Sequence, residues 1–285
     1  MFRKVILATT VCLAVLGFGT FGLAGDNPKL GAANESSTVD QRSQVHGTPA
    51  GAGPDSWEPT LLPLFPRNYG KTVAEWSAEW WQWAVSAPPA INPVLDPNGE
   101  DAAVGQHGPV WFLAGTFGRP FPFAPVVRTC TVPMGKALFF PVMNALWWGP
   151  DDNTNPWTDN YFTLVKELRD LAVESVGPAT LIRLECQIDN LELDIEDLKQ
   201  RQAEAPAFAI DPARNLLPGG PRDLAAATGY WIFLEPLKPG WHTIRFYAEI
   251  NSPHFGHVGH DVTYHLFVSP SSGVDSQESP EAEGT

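Results

Sequence analysis

From His242 to Ile250 the chain alternates: Ile244, Phe246, Ala248 and Ile250 share one parity, and Thr243, Arg245, Tyr247 and Glu249 the other. That is the period of a strand with one buried face. Asp261 to Val268 repeats it, with Val262, Tyr264, Leu266 and Val268 set against Asp261, Thr263, His265 and Phe267. Leu181 to Ile188 and Leu191 to Ile195 bracket Asp189-Asn190, a two-residue turn suited to a hairpin. Val126 to Val132 and Lys136 to Val142 flank Pro133-Met134-Gly135, which predicts another hairpin. Val110 to Ala114 and Gly229 to Leu234 are short continuous apolar runs and read as buried strands.

Two stretches keep the helical period instead. In the first, at about 72–86, Glu75, Glu79, Gln82 and Ser86 fall on one narrow arc, while Trp76, Trp80, Trp81 and Trp83 cover much of the rest. Thr72 and Glu75 stand at capping-box spacing, and Ala87-Pro88-Pro89 ends the helix. The second, at about 158–176, repeats Tyr161, Val165, Leu168, Ala172 and Val176 before Gly177-Pro178 stops it. Trp147 to Asn153 reads as a loop, and Asp197 to Ala227 as a long polar excursion. Many short strands and Pro/Gly turns predict a mainly β protein, a two-layer antiparallel β-sandwich of Ig-like or jelly-roll type with two covering α-helices. The domain should span 57–268.

The ends of the chain change the picture of where it works. Met1-Phe2-Arg3-Lys4 is basic, Val5 to Leu23 is almost uniformly apolar, and Gly22-Leu23-Ala24 supplies small residues for cleavage, so residues 1–24 read as a signal peptide. Residues 25–56 and the acidic 269–285 have the composition of disordered segments. A secreted or periplasmic protein with no membrane span after signal cleavage is expected. In that compartment Cys130 and Cys186 are a disulfide candidate. A net charge of −14 argues against nucleic acid and anionic lipid surfaces as partners.

Leu237-Lys238-Pro239-Gly240-Trp241-His242-Thr243-Ile244 resembles the penultimate hairpin of extracellular Ig-like modules. The Trp76 to Trp83 helix, the Trp111 to Ala114 strand and the Val132-Pro133-Met134-Gly135-Lys136 turn together resemble a set of secreted bacterial proteins of unassigned function. That resemblance implies an export-type sandwich and transfers no activity.

Four places could carry chemistry. His254, His257 and His260 recur every third residue beside glycines, on what should be the loop joining the last two strands, and could supply imidazoles to zinc or copper. Glu75 and Glu79, one turn apart on the polar seam of the Trp-rich helix, could act as a catalytic acid and base. Trp147 and Trp148 beside Asp151 and Asp152 have the composition of a sugar-contacting loop. Asp96, Asn98, Glu100 and Asp101 around Gly99 offer oxygens that a structural calcium ion could use. No Gly-x-Ser-x-Gly, P-loop or dinucleotide-binding signature is present. The expectation is a binding protein of the cell envelope, with a glycan or an envelope protein as partner; the alternative is a metal-dependent extracellular hydrolase or oxidoreductase using the His-rich stretch.

Overall fold

Two facing sheets bury their strands to different depths. The structure, a computed structural model, describes residues 57–149, 159–214, 216–217 and 223–270. The expected signal peptide, the leader, the tail beyond 270, and Asp151 and Asp152 lie outside the described residues. In chain order the elements are α1 (Val73–Ser86), β1 (Val110–Phe112), β2 (Arg119–Pro120), β3 (Val126–Pro133), β4 (Ala137–Gly149), α2 (Asp159–Val176), β5 (Leu181–Ile188), β6 (Leu191–Leu193), α3 (Ile195–Lys199), β7 (Gln202–Glu204), β8 (Phe208–Ile210), β9 (Asp223–Leu234), β10 (Gly240–Ser252) and β11 (Gly256–Ser269). One sheet runs β1-β4-β9-β7, with β8 also on β9; the other runs β2-β11-β10-β5-β6, with β3 also on β11. The protein is thus mainly β and sandwich-like. Two pairings, β1 with β4 and β3 with β11, are parallel.

Every residue of β9 is buried, and so is every residue of β4 except the half-buried Asn144. A strand buried on both faces needs a cover on each side. On one side that cover is α1, where Trp80 meets Trp231 edge to face at 5.7 Å and Trp76 meets Phe233 at 6.1 Å. On the other side the second sheet supplies it, Phe140 lying 5.2 Å from Phe246. Farther along that same inner face α2 takes over, with Leu168 and Ala172 packed on Trp147, Leu224 and Ala226. The second sheet has only one covered face. Accordingly β3 alternates buried and exposed positions along most of its length, and β10 alternates buried with half-buried or exposed ones.

This difference explains the corrections to the expected elements. The stretch around Pro133-Met134-Gly135 is no hairpin: it is an arch that carries the chain from β3 in one sheet to β4 in the other. An all-buried strand such as β4 cannot share a sheet that is open to solvent on one side. Trp147 and Trp148 belong to the end of β4 rather than to a loop, and the expected excursion after Asp197 contains α3, β7, β8 and the first half of β9. The hairpin at Asp189-Asn190 forms as expected between β5 and β6, with Asp189 in the left-handed region at φ 50°.

A register shift between Pro141 and Met143 inserts one residue into β4. Because side chains alternate, the extra residue exchanges the faces of everything beyond it. Phe139 packs with the α1 cluster, whereas Trp147, of the same parity, packs with α2. Gly229, paired with Asn144 just past the bulge, is needed for the close approach: a Cβ there would lie 2.6 Å from Asn144 Cβ and 2.7 Å from the Met143 carbonyl.

The expected Cys130–Cys186 disulfide is absent, and both thiols are free. Cys130 sits on β3 and Cys186 on β5, with β11 and β10 between them in one sheet. Three strand spacings amount to roughly 14 Å, about twice the Cα separation a disulfide can span.

Candidate functional site

The His-rich stretch is not one loop. Only a short turn separates β10 from β11, so His257 and His260 lie on a strand, where an odd spacing sends them to opposite faces. His257 is on the open face, its Nε2 2.7 Å from Glu249 Oε1 and its ring stacked on Phe121 at 4.4 Å. The hydrogen bond from His257 is the main cause holding the Glu249 carboxyl below its ordinary range. His260 is buried between the sheets, with Nε2 2.7 Å from the Val142 carbonyl oxygen. His254 turns toward α2 and meets Glu174 at 3.1 Å. Three side chains committed to three different neighbours do not form a metal centre, and among the described residues no other group of His, Cys, Asp and Glu does so either.

The calcium expectation is corrected in the same way. Asp96 is buried, and its carboxylate accepts from the backbone N–H groups of Asn98, Gly99 and Asp101 at 2.9–3.0 Å. Those oxygens organise a turn. Trp147 and Trp148 are buried, and the Trp147 indole donates to Ser175 Oγ at 2.9 Å, so neither ring presents a face to a sugar.

The polar seam of α1 does lie in an open cleft, of about 510 Å³. α1 begins where Thr72 and Glu75 close their capping box. Glu75 is consumed there: bonds from the Thr72 backbone and hydroxyl hold its carboxyl below the ordinary range, and Arg67 lies 3.1 Å away. Glu79, one turn on, reaches the cleft and pairs with Lys71, whose ammonium also sits 4.8 Å from the Trp76 ring centroid. Buried Trp76, Trp83 and Phe112 back the cleft, the indole N–H of Trp76 already given to the Asn68 carbonyl and that of Trp83 to the Val104 carbonyl. Tyr69 lines it as well, 42% exposed and held at φ 51°. A non-glycine residue in that region costs about 1–3 kcal/mol and persists only where its surroundings enforce it. Gln82, Ser86 and His107 complete the polar lining.

Of the paired catalytic carboxylates expected on the seam, the cleft therefore receives Glu79 alone. Tyr69, Lys71 and His107 were not singled out from the sequence. Tyr69-Gly70 immediately before the helix cap was the available signal, since a turn at that point folds the preceding segment back along the seam. Comparison of the chain with protein-family models, with curated proteins and with solved structures finds no match.

Proposed function

We propose that this protein is an exported saccharide-binding protein of the cell envelope or its exterior, and that the cleft along the polar seam of α1 holds the sugar. The observation that carries this reading is the exposed Tyr69 ring set beside the Lys71–Glu79 pair, with Gln82 and His107 around them and the buried Trp76, Trp83 and Phe112 giving the cleft a rigid back. A sugar ring has apolar C–H faces and a rim of hydroxyls that both donate and accept. An aromatic surface takes the former, and a carboxylate beside an ammonium takes adjacent hydroxyls of the latter. Export rests on the basic and apolar start of the chain.

Hydrolysis is the less favoured reading, because glycoside cleavage of the usual kind uses two carboxyl groups flanking the bond. Among the residues lining the cleft Glu79 is the single carboxylate, and Lys71 neutralises it. A metal-dependent reaction is disfavoured by the separate commitments of His254, His257 and His260. The test is calorimetric titration with a panel of soluble oligosaccharides, together with pull-down on insoluble polysaccharides. Tyr69→Ala and Glu79→Gln should each weaken binding at least tenfold. Failure of every glycan, or binding indifferent to both substitutions, would remove the proposal.

A further inference from the structure

The α1 cleft is elongated along the helix. Glu79, Gln82 and Ser86 line it at intervals of three and four residues, so they follow one face of α1. From Glu79 to Ser86 the helix rises roughly 10 Å, more than a single sugar ring covers. Near Glu79 the cleft is bordered by the turn that carries Tyr69 and Lys71; near Trp83 it is bordered by the segment from Gly105 to Pro109. That segment is held firmly. The Gln106 side chain donates to the Ala102 and Phe112 carbonyls at 3.0 and 2.8 Å and accepts from the Phe112 N–H at 2.9 Å, while Lys136 bonds the Gly108 carbonyl. His107 is thus carried between two fastened residues.

The hydrogen bonds these side chains already make decide what they have left for a ligand. The Ser86 hydroxyl gives its proton to the Trp83 carbonyl at 2.9 Å, which leaves its lone pairs. His107 Nδ1 lies 3.0 Å from the Gly105 carbonyl oxygen. A carbonyl only accepts, so the neutral ring carries its proton on Nδ1, and Nε2 is a lone pair with no partner among the described residues. Gln82 gives an amide N–H to the Ala209 carbonyl at 3.0 Å and keeps its own carbonyl oxygen. Acceptors therefore line the cleft from Glu79 to Ser86 and across it at His107.

The charges point the same way. Lys71 is held by Glu79 and lies over the Trp76 ring, so an anion drawn to its ammonium would meet the Glu79 carboxylate as well. A carboxylate on a sugar brings oxygens that only accept into a set of acceptors, and a charge taken from water without a partner is costly. An ammonium on a sugar could donate, but Glu79 already has its cation and the acceptors beyond it are neutral. A hydroxyl donates without carrying a charge out of water.

We propose, on the saccharide reading of this cleft, that its ligand is an uncharged oligosaccharide lying along α1, whose hydroxyls donate to Gln82, Ser86 and His107, and that chains bearing carboxylates are refused. The probes are tetrasaccharides of glucose, mannose and galactose, each beside the same chain oxidised at C6 to uronates. They are titrated calorimetrically into the full chain at low salt and at about 0.5 M salt, where the field of the whole protein is screened. At least one neutral chain should bind, its uronate at least tenfold more weakly, and the ratio should survive the salt. Ser86→Ala and His107→Ala should each weaken the neutral chain about fivefold, the worth of one neutral hydrogen bond. His107→Lys, which puts donors where the lone pair stood, should narrow the ratio of neutral to uronate affinity at least threefold. A uronate bound as tightly as its neutral partner, a ratio that vanishes in salt, or variants that bind like the unsubstituted protein would overturn this inference and leave the saccharide reading standing. Binding of neither member of any pair removes that reading, and this inference with it.

Discussion

The Arg128 guanidinium and the Tyr264 hydroxyl meet at 2.9 Å in the interior, each side chain 1% exposed. Among the described residues no carboxylate is bonded to Arg128 there. It donates to the carbonyls of Val94, Asp96, Ala114 and Gly115, while Tyr264 donates to Ala114 and accepts from its N–H. Two irregular segments, 94–96 and 114–115, are thus fastened to β3 and β11 by one planar fork of donors. Arg128→Met should destabilise the protein by about 3 kcal/mol or more, because several buried carbonyls lose their donor together. Arg128→Lys should recover little, since an ammonium cannot reach acceptors spread around a guanidinium plane. Urea unfolding of both variants measures the difference.

Acidification should weaken the fold in two stages. Burial lowers the affinity of His260 for a proton relative to the unfolded chain. The unfolded state then binds more protons below about pH 6.5, so stability is lost as the pH falls from there toward the lower native value. Glu75 and Glu249 are also shifted down, by the Thr72 cap and the His257 hydrogen bond respectively, and add a second loss below about pH 4.5. Melting temperature against pH should show both stages. His260→Gln, which keeps a donor for Val142, should flatten the upper one, and by NMR the His260 ring should titrate below the range of a free imidazole.

Cys130 and Cys186 should behave as inert thiols in the folded protein. Burial pushes Cys130 up to about 12 and raises Cys186 as well, leaving almost no thiolate at neutral pH. A thiol reagent should label both quickly in denaturant and slowly without it, and prior reduction should change neither rate. A bridged pair would give the opposite result.

Gly229→Ala should cost about 1–3 kcal/mol through overpacking against the β4 bulge. The added methyl meets the Asn144 side chain and the Met143 backbone, which have little room to retreat between two covered faces.

The strands with one wet face were legible because parity reports burial directly, as at Ile244, Phe246, Ala248 and Ile250. The helix caps at Thr72 and Glu75 were legible for an equally local reason. What escaped was whatever depended on a second cover. Leu224-Ala225-Ala226-Ala227 carries no alternation because α1 and α2 cover its two faces, and it reads as part of a loop. Pro141 looks like the end of a strand when it marks a bulge within one. The parity Arg128 shares with Val126 and Val132 puts its guanidinium on the buried face, though it was not singled out from the sequence, and the unpartnered Trp81 indole could be seen only once its three neighbours had found their carbonyls.

The parallel seam between β3 and β11 joins Val126 to Val262 and Val132 to Val268. A ribosome delivers the first of these segments long before the second, so the middle of the larger sheet stays unfilled until β11 has been made. Folding of this domain must therefore wait on its last strand. A polypeptide stopped before Gly256 would leave β3 without its partner and the inner face of β4 partly bare, a species for chaperones and proteases rather than a smaller working protein.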